Sequence, residues 1–189
     1  MKKSVLKVQM FGTYSIEYEG NPVSFERNTT TKTNQLMQIL LQAGEKGVTR
    51  AKLLSDLFGD EEMSNPANSL RATVFRLRRL LAAAGLPEDE YVTIKGGSYY
   101  WTSGIPYELD AHQFEELLKK AEKENDPEKK KSYIEEACEL YRGEFLPQLG
   151  AEGWAVVLNV YYKNLFSNAM RTLCPVSYTH LRAHETTLH

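Results

Sequence analysis

Residues 65–85 read NPANSLRATVFRLRRLLAAAG, and they predict a single capped helix over 66–84. Asn65 is a good N-cap, Pro66 suits the first helical position, Gly85 closes the C-terminus and Pro87 prevents continuation. On a wheel of about 100° per residue, Leu70, Val74, Leu77 and Leu81 fall within about 60° of one another and form a core face. Phe75, Arg79, Ala72 and Arg76 lie opposite, while Arg71 and Arg78 flank the apolar stripe. Four arginines thus share a helix that has no acid from 65 to 84. The i±4 partners that neutralise an ordinary solvated face are missing locally.

The segments around this helix supply its context. LKVQMFG and TYSIEYEG (6–12 and 13–20) are rich in β-formers and end in glycine, so they read as strands of a small antiparallel sheet, with PVSF (22–25) as a candidate third. TNQLMQILLQAG (33–44) places Leu36, Ile39, Leu40 and Ala43 on one helical face, with Thr33 as N-cap and Gly44 as stop. TRAKLLSDLFG (49–59) repeats that grammar, with Thr49 as cap and Leu53, Leu54, Leu57 and Phe58 as stripe. After the arginine helix, YVTI (91–94) and YYW (99–101) enclose KGGS and read as a hairpin. Strands, three helices and a hairpin make the order of a winged helix-turn-helix.

From 107 onward the pattern is helical. Leu109, Phe114, Leu117, Leu118 and Ala121 form one stripe. Ile134, Ala137, Cys138 and Tyr141 form another after the Asp126-Pro127 start, and a third helix is expected over 152–173. Antiparallel helices of this size suggest a tetratricopeptide-like layer. The expected fold is therefore an α+β winged helix-turn-helix (1–104) followed by an all-α, incomplete helical domain (105–174).

The last segment, 175–189, fits neither part. VSYTHLRAHET (176–186) resembles the in-frame translation of a sequencing-library adapter, so the tail is expected to be an unstructured artefact and the natural chain to have been cut near Cys174. His184-Glu185 and His189 resemble a zinc-protease motif, but the histidines are five apart where one helix face needs four. No metal site is read there.

Composition narrows the function further. The chain of 189 residues has a formal net charge of −2. Residues 1–104 carry 13 Lys+Arg against 11 Asp+Glu, and residues 105–174 carry 9 against 13. Two cysteines make no disulfide framework or metal pair. MKKSVLKVQM lacks the apolar core of a signal peptide, and no run is long enough to span a bilayer, so the chain is expected to be cytoplasmic with no membrane partner. Outside the tail only His112 remains as a histidine, and no phosphate-binding glycine motif occurs. No catalytic residue, cofactor or enzyme activity is expected.

An arginine-rich helix in this setting points to double-stranded DNA, where arginine bonds guanine bidentately and holds phosphates. Thr49 and Arg50 stand at a helix N-terminus suited to a phosphate, and Lys95 stands at the hairpin tip. Arg71 and Arg79 join the candidates on exposure and charge. Asp60, Glu61 and Glu62 make the loop before the arginine helix acidic, so it should turn from DNA and is left free to touch another protein.

NSLRATVFRLRRLL, KGGSYYW and the later ELYRGEFLP resemble the SARP-like regulators, the antibiotic regulatory protein family. In that family an OmpR-type winged helix precedes a bacterial transcriptional activator domain. The resemblance runs from about Leu6 to Cys174. It implies a homodimer on promoter repeats, recruitment of RNA polymerase, and base or phosphate contact at Asn68, Ala72, Thr73 and Arg76. Phe75 departs from the family, where this position is often basic. No receiver domain is expected before the first strand. The competing reading is a protein–protein interaction module whose winged helix does not bind DNA and works through Phe75 and the 59–64 loop.

Overall fold

Apolar residues at alternate positions in LKVQ and SIEY put Leu6, Val8 and Ile16 on one face of a pleated pair. The computed structural model, which describes residues 4–24, 28–59 and 64–174, pairs β1 (Leu6–Gln9) antiparallel with β2 (Ser15–Tyr18), and β2 with the short β3 (Asn21–Pro22). The third strand therefore lies one residue earlier than the PVSF stretch suggested. Phe25, Asp60, Glu61, Glu62 and the 175–189 tail lie outside the described residues.

Three helices follow: α1 (Lys32–Ala43), α2 (Arg50–Phe58) and α3 (Pro66–Ala83). Thr31, not Thr33, caps α1 by accepting from the Asn34 amide. The run Thr29-Thr30-Thr31-Lys32-Thr33 offers several caps of equal chemistry, and Thr33 is drawn into the first turn and buried. Residues 33–41 of α1 are buried all round: α2 and α3 pack against it, and His112, Trp154 and Tyr162 of the helical part bond to it. Two glutamines inside this helix are buried with its leucines. Gln35 donates to the Thr30 carbonyl at 2.9 Å and accepts from the Trp154 indole at 3.0 Å.

The hairpin forms as expected, from β5 (Val92–Lys95) and β6 (Ser98–Trp101). Its two turn residues, Gly96 and Gly97, have φ of 58° and 78°, the left-handed pair that a two-residue hairpin turn requires. Beyond that expectation, β4 (Val48–Thr49), just before α2, adds to β6 and makes a three-stranded sheet.

The helical part holds α4 (Asp110–Lys123), α5 (Pro127–Leu140) and α6 (Gly153–Leu173). One correction applies at its start. Tyr107–Leu109 is strand β7, parallel to β1, so Leu109 belongs to a sheet rather than to a helical stripe. The apolar residues of YEL satisfy either period, and three residues are too few to distinguish them.

β7 makes the two halves one body. Asp110, at the start of α4, accepts hydrogen bonds from the Met10 amide (2.9 Å), the Phe11 amide (3.0 Å) and its neighbour Ala111 (2.8 Å). Burial pushes its carboxyl above the ordinary value, against the pull of those amides and of Arg142. The Leu146 amide donates to the Met10 carbonyl, and Phe11 packs against Phe114, Tyr141 and Tyr162 at centroid distances of 5.5, 4.9 and 5.1 Å. A single apolar cluster runs from Leu6 to Tyr162.

Candidate nucleic-acid interface

Helix α3 is held by its apolar face. Leu70, Val74, Leu77 and Leu81 are all buried, and Asn65 caps the N-terminus by accepting from the Asn68 amide. Gly85, at φ 76°, ends it. With that face fixed, Asn68, Arg71, Ala72, Phe75, Arg76 and Arg79 are exposed together on the opposite side.

Three arginines of α3 have no acid or hydrogen-bond partner among the described residues: Arg71, Arg76 and Arg79. The guanidinium of Arg79 lies 5.9 Å from the centre of the Phe75 ring, a cation–π contact. Arg78 behaves differently from its neighbours. It donates to the Val92 carbonyl at 2.7 Å and lies 3.8 Å from the Glu90 carboxylate, tying the helix to the base of the hairpin. Its charge is answered inside the protein, by an acid distant in sequence.

Thr73 is a second correction. It is only 5% exposed and its hydroxyl donates to the Ser69 carbonyl at 2.8 Å. At 300° from Leu70 on the wheel of about 100° per residue it falls on the core side, so it does not face the exposed surface with Asn68, Ala72 and Arg76.

The N-terminus of α2 is bonded within the fold. Thr49 caps it by accepting from the Lys52 amide, and the Arg50 amide donates to the Gly97 carbonyl at 3.0 Å. The Arg50 amide is therefore taken by the hairpin tip and the Lys52 amide by the helix's own cap. The side chains of Thr49, Arg50 and Lys95 remain exposed on this side of the fold. The hairpin also exposes Ile94 (49%), where the sheet runs beyond the body that buries Val92. Sequence alternation alone would have buried both.

His112 is structural: its Nε2 lies 2.7 Å from the Gln42 carbonyl. Among the described residues no group of histidine, cysteine and carboxylate side chains is placed to hold a metal ion, and no helix is long and apolar enough to cross a membrane.

Two family models match the chain. That for the transcriptional regulatory protein C-terminal domain covers residues 26–101, and that for the bacterial transcriptional activator domain covers residues 109–187, continuing past Cys174. Protein RcaC of Microchaete diplosiphon is 29% identical over 123 residues, which is 60% of this chain and 18% of RcaC. The solved structure of Mycobacterium tuberculosis EmbR in complex with a low-affinity phosphopeptide aligns with a TM-score of 0.72 at 17% identity, covering 92% of this chain and 45% of EmbR. At that identity the likeness is one of fold. The chain spans about a fifth of the first protein and under half of the second.

Proposed function

We propose that this chain, a SARP-like regulator by its two matched domains, binds promoter DNA sequence-specifically, in the cytoplasm, as an activator. Helix α3 enters the major groove and the 92–101 hairpin lies alongside as the wing. The observation that carries this reading is the exposed α3 face, where Arg71 and Arg76 have no acidic partner among the described residues. Uncompensated arginines on a rigid, core-anchored helix are suited to phosphates and guanine edges, which offer bidentate acceptors.

In this arrangement Asn68, Ala72 and Arg76 face base edges, with Ala72 small enough to let the helix approach closely. Arg71, Arg79, Thr49, Arg50 and Lys95 hold the backbone on either side. Arg78 sets the angle between helix and wing. The helical domain serves dimerisation on promoter repeats or contact with RNA polymerase, and α6 exposes Val156, Val157, Val160 and Tyr161 for such a purpose. The 1–104 and 105–174 division then separates roles within one folded body.

Gel-shift titration of the full chain against promoter fragments tests the reading. Binding should weaken steeply with salt, log K falling by about 0.9 per neutralised phosphate. Absence of salt-sensitive binding to every fragment, together with capture of an acidic protein partner, would support the interaction-module reading instead.

A further inference from the structure

Phe75 is 62% exposed in the middle of the arginine face, and the phosphate and guanine contacts proposed above leave it without a role. It stands one turn from Arg71 on one side and one turn from Arg79 on the other, with Arg76 next to it. Among the described residues the cation–π contact to its ring comes from Arg79, whose guanidinium lies 5.9 Å from the ring centre.

Resting on the DNA-binding reading, we propose that Phe75 is a specificity residue that packs against the C5-methyl group of a thymine in the major groove. A major groove is walled by phosphates, which suit Arg71 and Arg79, and floored by base edges, whose polar groups suit Arg76 and whose one apolar exception is the thymine methyl. An exposed aromatic framed by arginines therefore finds its apolar contact there. A protein surface covering Phe75 would also have to bring acids to three flanking arginines. Ala72, one turn before Arg76 and adjacent on the helix surface, leaves the ring room to approach the base. The Arg79 contact restrains the ring, making Arg79 a positioning residue for it as well as a charge.

The test begins with DNA sites enriched from a random pool by the full chain. Each thymine in the enriched site is then replaced by uracil, which removes the methyl and leaves every hydrogen-bonding group in place. One position should bind the native chain about fourfold more weakly as uracil, the value of one buried methyl-sized group. Phe75→Ala should bind thymine and uracil at that position equally, with an unchanged salt slope because no charge is lost. Phe75→Leu should keep most of the discrimination. Circular dichroism of each variant checks that the fold is intact, as expected for an exposed position.

The proposal is overturned if no thymine methyl matters, or if Phe75→Ala retains the methyl dependence of the native chain. Either result leaves salt-sensitive binding in place, so the DNA-binding reading would survive it. Failure to enrich any DNA would overturn both.

Discussion

Arg76 and Arg78 are two positions apart on one helix and have different fates. Arg76 projects from the exposed face with no partner among the described residues, whereas Arg78 reaches the Val92 carbonyl and Glu90. Substituting each should therefore give separable results. Arg76→Ala should cost about 1–3 kcal/mol of specific binding with unchanged thermal stability, measured by competition between the enriched site and a scrambled one. Arg78→Ala should lower folding stability by about 1 kcal/mol through the lost hydrogen bond, read by urea denaturation, since its half-exposed ion pair with Glu90 adds little. The wheel placed Arg76 correctly because exposure follows from the position of the core stripe. It placed Arg78 at the flank and left open whether phosphates or acids of the protein answered it. The partner that decides this, the Val92 carbonyl, is fourteen residues away, beyond anything periodicity reports. Thr73 shows the reverse: the same wheel puts it on the core side, but register borrowed from the family put it among the contacts.

At the scale of elements, α2, α3 and the wing were legible because each has local punctuation. Asn65-Pro66 and Gly85 bound α3, Thr49 caps α2, and Gly96-Gly97 makes the hairpin turn. β4 and β7 were not legible. Each is two or three residues long and exists because a distant strand, β6 or β1, offers it an edge. Between α1 and β4, Gly47 has φ 64°, and a Cβ there would fall 2.4 Å from the Tyr100 ring. Gly47→Ala should accordingly destabilise the protein by at least about 1–2 kcal/mol and loosen the wing, detectable as faster hydrogen exchange at residues 98–101. Exchange unchanged from the native protein would mean that β4 does not hold the wing.

At the scale of the whole molecule, one apolar cluster joins the winged part to the helical part. Composition and motif order separated a basic, mixed α/β half from an acidic helical half, but the joint between them is invisible to pattern. It depends on Asp110 answering the amides of Met10 and Phe11 across a hundred residues. It also depends on Phe11 inserting among aromatic rings of the helical part. Urea should therefore unfold the chain in one cooperative transition by both fluorescence and circular dichroism. Asp110→Ala, which strands buried amides, should shift that transition by about 3 kcal/mol. The most direct test of the central claim is the salt dependence of DNA binding by the native chain and by a variant with Arg71, Arg76 and Arg79 all changed to alanine. The account predicts that the variant folds normally, binds far more weakly, and shows a log K against log salt slope shallower by about 2–3 units. Equal affinity and equal slope in the two proteins would contradict it, because the exposed face of α3 would then not be the surface that meets DNA.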